Sequence, residues 1–393
     1  MNRFLVAVAV AAPLVWHAPS FAADAASISA AIDKAAAAAV AAGESAGLQV
    51  AVYKDGKPLL VKGYGVGSLE LKTPVTNDSV FRIGSVTKQF TAVALLLLQE
   101  EGKLSLDDKL SKYYPDFPRA ADITLKQMLN HTSGISNYTD DPSFAKDGMI
   151  KRTSDEMVTF IAKLPKTSDF DPGTGWRYSN SAYFILGGVV EKAAGKPLAD
   201  VLKTRLFVPL GMTHTALDDE AEVVAGRVAG YSATAPGKFA NAAYLSMTIP
   251  GGAGSMRSSA TDLAKWNAAL FGGKILKPAS FEAMTSPGKL NNGENSSAAM
   301  KRPDAAKDAP PPRKREYGYA LQMSDEEGHE KINHGGGIFG FSSMLTEFPK
   351  DHVTVVVLAN TIGKDVGTAK IVPKIERLAL GLPAEKKQTA EVK

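Results

Sequence analysis

Ser85 and Lys88 stand three positions apart in GSVTKQF, residues 84–90, between a short apolar run and a long one. A serine hydroxyl held against a lysine amine is a nucleophile beside its own base, provided that the amine is neutral. On a helix, residues i and i+3 share a face, so hydroxyl and amine can meet. The same spacing recurs at Ser143/Lys146 and Ser286/Lys289, and spacing alone therefore selects nothing. Position does. Ser143 lies in a stretch rich in Asp and Pro, Ser286 precedes the turn pair Pro287-Gly288, and only Ser85 sits where a strand gives way to a helix. There the free amides of the first turn and the helix dipole favour negative charge developing on a substrate oxygen. The competing role is a helix cap, for which serine is preferred and which is worth about 1 kcal/mol. A lysine in the first turn opposes the dipole, so a chemical role accounts better for Lys88. Its amine must then fall from about 10.4, which burial or cationic neighbours achieve.

Two other patterns promise chemistry and fail on their setting. Gly43-Glu44-Ser45-Ala46-Gly47 matches the G-x-S-x-G elbow, which needs a strand before the serine and a helix after it; here an alanine-rich helix leads in and the run LQVAVY leads out. Gly335-Gly336-Gly337-Ile338-Phe339-Gly340 matches G-x-G-x-x-G, but two strands around a Pro-Lys-Asp turn follow where a dinucleotide site requires a helix. Two short patterns occur once each: Tyr178-Ser179-Asn180 at the lip of a helix, and His334-Gly335-Gly336 at the start of a strand. Read blandly, Tyr178 is a buried aromatic, Asn180 a turn or cap residue and His334 a strand residue. His131, in a loop phrase with no metal-binding partner nearby, reads as structural. No H-E-x-x-H, phosphate loop or calcium loop occurs, so no metal and no cofactor is expected.

The elements that must position these residues follow from periodicity. Residues 24–43 are alanine-rich and suit a helix; LQVAVYKDGKPLLVKGYGVGS reads as a hairpin around Lys54-Asp55-Gly56-Lys57. The run SVFRIG leads to Ser85, and TAVALLLLQEEG is a helix apolar almost all round, hence buried, ending at Gly102. From about 105 to 225 helical segments alternate with loops. Strands return as EYGYALQMS, GGGIFGFSSMLTEFP and DHVTVVVLANT, and a last helix spans about Thr368 to Leu380. The fold class is α+β: an antiparallel sheet formed from both chain ends and flanked by helices, with a mostly helical insert. The sheet part is expected at about 28–105 and 226–390, the insert at about 106–225, and a mobile Pro-rich loop at about 286–315.

The chain of 393 residues has a size that allows a sizeable core and a buried site. Its first residues, with Arg3 before an apolar run broken by Pro13 and a small-residue exit, read as a signal peptide over 1–22, which is too short to span a bilayer and leaves a secreted or periplasmic domain over 23–393. Cysteine is absent, which excludes disulfides, thiolate catalysis and zinc–thiolate sites. A formal net charge of +4 is too near neutral to argue for nucleic acid, and the basic stretch from Lys301 to Glu316 mixes both signs with four prolines, as a solvated loop does.

Ser-x-x-Lys, then Tyr-x-Asn, then His-Gly-Gly, in that order, resembles the serine beta-lactamase and penicillin-binding-protein superfamily, most closely class C beta-lactamases, family VIII esterases and D-amino-acid-specific peptidases. LNHTSGISNY, residues 129–138, is similar to a recurring phrase of that group, and the resemblance runs from Gln49 to Asn360. It implies a beta-lactamase-like fold, with Ser85 as acylated nucleophile and Lys88 and Tyr178 sharing its activation. It further implies that Asn180 holds the substrate amide or the lysine, that His334, Gly335 and Gly336 contact substrate, and that the amides of Ser85 and Gly337 form an oxyanion hole. A tyrosine becomes a useful base beside positive charge, which Lys88 would provide. His334 stands where many relatives carry lysine. A mostly neutral histidine grips a carboxylate less well, which shifts the expectation from efficient beta-lactamase toward D-peptidase or esterase. The partner is a small-molecule or peptide substrate, peptidoglycan-derived fragments included. The alternative is a penicillin- or peptidoglycan-binding protein with little or no turnover.

Overall fold

The computed structural model describes residues 25–144, 149–300 and 315–385; the expected signal peptide, Lys146 and residues 301–314 of the Pro-rich segment lie outside that description. The predicted hairpin forms. Strands β1 (Gly47–Lys54) and β2 (Lys57–Ser68) pair antiparallel around Asp55 and Gly56, whose φ of 51° and 72° are those of the two-residue turn that matches strand twist.

These strands and β3 (Thr73–Pro74) make one half of an eight-stranded antiparallel sheet. The other half comes from the far end of the chain: β4 (Glu316–Tyr317), β5 (Gln322–Glu326), β6 (His329–Ile338), β7 (Phe341–Phe348) and β8 (Val353–Ala359). The order is β3-β2-β1-β8-β7-β6-β5-β4, and β1 meets β8 with Val50 opposite Val357. Every residue of β8 is buried, because both faces of the sheet are covered. Val355 and Val357 face the first helix, α1 (Ala25–Ala41), and the last (Thr368–Ala379), through Ile28, Ile32, Ile371 and Ile375. Val356 and Leu358, one residue out of phase, belong to the larger core on the other face.

That core is centred on α2 (Thr87–Glu100), which is buried without a break from Thr87 to Leu96, as its all-round apolar character predicts. Phe90 stacks on Trp266 at 4.0 Å, and the Trp266 indole N–H donates to Gln89. Helices α3 (Leu125–Leu129), α4 (Ser154–Ala162) and α5 (Asn180–Ala194) build the helical middle of the chain. Thr124 and Thr153 cap α3 and α4 with full capping boxes.

Four expectations change in detail. SVFRIG forms only the two-residue strand Phe81–Arg82, which pairs with Met256–Ser258 rather than joining the main sheet, because Gly84 at φ 49° turns the chain into a helical turn. EYGYALQMS is split into β4 and β5 by an irregular stretch with Ala320 at φ 57°. Residues 226–300 carry, besides short strands in two three-stranded sheets, helices at Ala260–Phe271 and Pro278–Met284. Residues 286–300, expected in a mobile loop, are hydrogen-bonded: the Gly288 amide donates to the Tyr317 carbonyl and the Asn291 amide to that of Gly173.

Candidate active site

Ser85 lies in a 3-10 turn, Gly84–Val86, between Phe81–Arg82 and α2. Neither the turn nor α2 has a side-chain cap, so the hydroxyl is not spent on capping. Ser85 is partly exposed; Lys88, one turn on, is 0 % exposed. Its Nζ meets three oxygens: Ser85 Oγ at 3.1 Å, Asn180 Oδ1 at 2.8 Å and the Ala253 carbonyl at 2.7 Å. None is a carboxylate, and burial drives the amine well below the ordinary lysine range.

A neutral amine has two N–H bonds and one lone pair. The Ala253 carbonyl and Asn180 Oδ1 can only accept, so in the neutral form they would take the two hydrogens and leave the lone pair facing Ser85 Oγ. The faces of Tyr178 and Tyr183, with centroids 4.8 and 5.5 Å from Nζ, suit the ammonium that forms when the amine takes a proton.

Asn180 is the first residue of α5, whose N-terminus Ser179 caps by accepting from the Ala182 amide. Its own amide donates to Asn137 Oδ1 at 3.0 Å and its Nδ2 to Thr139 Oγ1 at 3.3 Å, so the phrase ending at Tyr138 helps hold the oxygen on Lys88. Tyr178, two residues earlier, reaches Ser85; burial raises its phenol above the usual tyrosine range, against the opposing pull of a hydrogen bond with Ser85. The sequence argument that a charged Lys88 lowers Tyr178 is reversed by burial, which pushes the phenol up and the amine down, each toward its neutral form.

The glycines of β6 bring the sheet up to Ser85. Pairing of β5 with β6 ends at Gln322 opposite Asn333, so from His334 to Ile338 the strand is paired with β7 alone and its other edge is open. A Cβ on Gly336 would stand 2.0 Å from the Ile83 carbonyl oxygen, and one on Gly84 3.0 Å from the Gly337 nitrogen, so only glycine permits this approach. Gly335 and Gly336 are partly exposed and Gly337 is exposed. His334 is 2 % exposed, with Nδ1 bonded to the Gly335 carbonyl at 2.7 Å and Nε2 to the Tyr317 hydroxyl at 3.0 Å. Burial, and then Lys88, push it down to about 3. The ring thus brings neither charge nor a free nitrogen to the open edge.

The structure brings Ser85, Lys88, Tyr178, Asn180 and Gly335–Gly337 around one cleft. The Ser286/Lys289 copy is not drawn in: Ser286 Oγ donates to the Glu282 carbonyl and Lys289 to Asn295. Ser45 of the reversed elbow is buried and bonds the Gly47 carbonyl. Sequence reasoning missed the Ala253 carbonyl, which no side chain announces, and the roles of Asn137 and Thr139, whose only signal was the phrase that holds the first and adjoins the second.

A serine beside a buried amine and a phenol, under an open strand edge, can carry acyl transfer through the serine oxygen. The chain matches the beta-lactamase family model over residues 32–373 and belongs to that family. It is 28 % identical over 346 residues to penicillin-binding protein 4* of Bacillus subtilis (strain 168), covering 85 % of this chain and 72 % of that one. It is 25 % identical over 343 residues to a D-aminopeptidase of Gluconobacter oxydans (strain 621H), covering 87 % of this chain and 60 % of that one. The solved structure of the D-amino acid amidase from Ochrobactrum anthropi SV3, complexed with L-phenylalanine amide, superposes with a TM-score of 0.73 at 26 % identity, covering 90 % and 97 % of the two chains. Among the described residues no helix is long and apolar enough to cross a membrane.

Proposed function

We propose that the protein is an exported serine hydrolase that cleaves an ester or amide, a short acyl ester or a D-amino-acid peptide, through an acyl-enzyme at Ser85. The observation that carries the reading is the fully buried amine of Lys88, which burial pushes well below the ordinary lysine range and whose Nζ stands 3.1 Å from Ser85 Oγ. Lys88 takes the serine proton as Oγ bonds to the substrate carbonyl carbon. The oxyanion that forms lies against the amides of Ser85 and Gly337, a donor pair of which each member is worth about 3 kcal/mol in such sites. As the tetrahedral species collapses, the leaving group takes a proton from Tyr178, which recovers one from the Lys88 ammonium. Water then attacks the acyl carbon and gives a proton to Lys88, which passes it to Oγ as the tetrahedral species collapses and the serine hydroxyl is released.

With His334 buried and neutral, the edge of β6 binds substrate through backbone groups, which suits an ester or D-peptide better than a beta-lactam carboxylate. The likeness to a D-aminopeptidase and a D-amino acid amidase supports the same substrate class. The test is Ser85→Ala assayed with an acyl ester and with D-alanyl peptides. Loss of turnover on both, and loss of labelling by an active-site phosphonate, is the expected result; activity equal to the parent would sink the assignment. Intact-mass detection of a long-lived penicillin adduct at Ser85, without ester turnover, would move the reading to a penicillin-binding protein.

A further inference from the structure

Four hydrogen bonds run in series between the two walls of the cleft. The Ser179 amide donates to His131 Nδ1 at 3.2 Å, and His131 Nε2 lies 3.1 Å from the Tyr317 hydroxyl. That hydroxyl lies 3.0 Å from His334 Nε2, and His334 Nδ1 lies 2.7 Å from the Gly335 carbonyl. The two ends decide everything between them. An amide can only donate and a carbonyl can only accept. His131 must therefore accept at Nδ1 and donate from Nε2, Tyr317 must accept from His131 and donate to His334, and His334 must accept at Nε2 and donate from Nδ1. The series closes with every proton used once and both imidazoles neutral, in opposite tautomers.

One competing acceptor stands nearby, the Tyr183 oxygen, which interacts with Tyr317 through a side-chain hydrogen bond. Tyr183, packed against His131 with ring centroids 5.1 Å apart, sends its own proton to the Leu129 carbonyl at 2.5 Å. Were Tyr317 to donate elsewhere, a buried imidazole lone pair would face an oxygen lone pair, an unsatisfied contact costing about 1–3 kcal/mol. Tyr317 itself is 1 % exposed.

The two ends of the chain of bonds are the two sides of the site. Ser179 stands between Tyr178 and Asn180, and the His131 ring packs on Tyr178 with centroids 4.4 Å apart. Gly335 begins the glycine run that reaches Ser85 and ends in Gly337. We propose that Tyr317 is a positioning residue: its hydroxyl, bridging His131 and His334, ties the helical wall carrying Tyr178 and Asn180 to the strand carrying the oxyanion amide, and so holds these groups in opposition across Ser85. The role of His131 is then the same, and His334 acts through the carbonyl that it holds rather than by touching substrate. The functional part of the proposal rests on acyl transfer at Ser85; the tautomers do not.

Two measurements test it. In protein labelled with 15N-histidine, long-range 1H–15N correlation spectra should show His131 protonated on Nε2 and His334 on Nδ1, both neutral at pH 6; the opposite tautomer at either ring, or a charged ring, overturns the proposal. Tyr317→Phe keeps the ring and removes the bridge. A kcat for ester hydrolysis lower by about 10- to 100-fold, as small misplacements of reacting groups produce, is expected. KM should change less than kcat, and the His334 resonances should show both tautomers. Parent-like kcat in the folded variant overturns the proposal. If instead Ser85→Ala retains activity while the tautomers are as stated, the acyl-transfer reading has failed and the bond series has not. Should Tyr317→Phe not fold, the tautomers in the parent protein still decide.

Discussion

His334 makes stability depend on pH in a window that few other groups share. Burial holds it at about 3 in the folded protein, against 6.5 for an unconstrained histidine. Between those values the unfolded chain binds a proton that the folded chain refuses, so stability falls as pH drops below 6.5 and levels off only near 3. From pH 7.5 to pH 5 the loss from this one ring is about 2 kcal/mol, most of it below pH 6.5, where the slope approaches about 1.4 kcal/mol per pH unit. Exposure of 2 % leaves little solvent screening to reduce it. The groups facing the ring are Lys88, Tyr178, Tyr317 and, through Tyr317, His131, and none of them offers a negative charge to a protonated imidazole at these pH values. Carboxylates held low interfere little: Glu220, at about 2, contributes stability that is lost as pH falls from about 4.5 toward 2, below the window used. Urea unfolding of the parent and of His334→Gln at pH 7.5 and pH 5 isolates the effect, because the carboxamide does not titrate. The parent should lose about 2 kcal/mol more than the variant over that interval. Equal losses would refute the claim that His334 is buried neutral, and with it the assignment of both tautomers.

Further outcomes follow from single contacts. Lys88→Arg places a permanent cation with no lone pair beside Ser85, and acylation measured by phosphonate labelling should slow by about 10³-fold, the scale of general-base catalysis; unchanged labelling would exclude Lys88 as base. In the parent, kcat/KM should fall on the acid side as the amine lowered by burial takes up a proton, and Lys88→Arg should lose that limb. Gly336→Ala forces a Cβ to within 2.0 Å of the Ile83 carbonyl and 2.4 Å of Ser343 Oγ, displacing the 2.7 Å bond between those two groups; urea titration should show a loss of about 1–3 kcal/mol, together with lost ester turnover. Trp266→Ala removes the partner of Phe90 and Gln89 and should cost about 3–5 kcal/mol in the same assay, with Ser85 chemistry intact in the fraction that stays folded.

What could be read from the sequence was local in character. The Asp55-Gly56 turn, the buried α2 and the alternation of β8 follow from periodicity and turn chemistry, which act over a few residues. Ser85 could be chosen among three serines because a strand-to-helix junction is itself a local feature. The irregular split between β4 and β5 and the short pairing of Phe81–Arg82 could not, since each involves a distant segment: the Tyr319 amide donates to the Met284 carbonyl, and Phe81 lies opposite Ser258. The protonation states of Lys88 and Tyr178 were out of reach for a related reason. The direction of each shift is set by how completely helices from the middle of the chain and strands from its end exclude water, and no motif encodes that quantity.

His131 shows the difference at its sharpest. Its φ of 63° is left-handed, a conformation that costs a residue with a Cβ about 1–2 kcal/mol. A loop phrase gives no reason to sustain that strain. In the folded chain the residue's polar groups converge on the site: the amide bonds the Met128 carbonyl, its carbonyl receives the Arg177 amide, and the two ring nitrogens take Ser179 and Tyr317. Three of those four bonds fix the turn before α5 or the hydroxyl that reaches β6. The partners lie 46, 48 and 186 positions away along the chain, so the strain is offset only after both halves of the protein have come together. The left-handed backbone and the one-way series of hydrogen bonds therefore report the same thing: the geometry at Ser85 belongs to the meeting of two walls, and a residue that touches no substrate can decide whether they meet correctly.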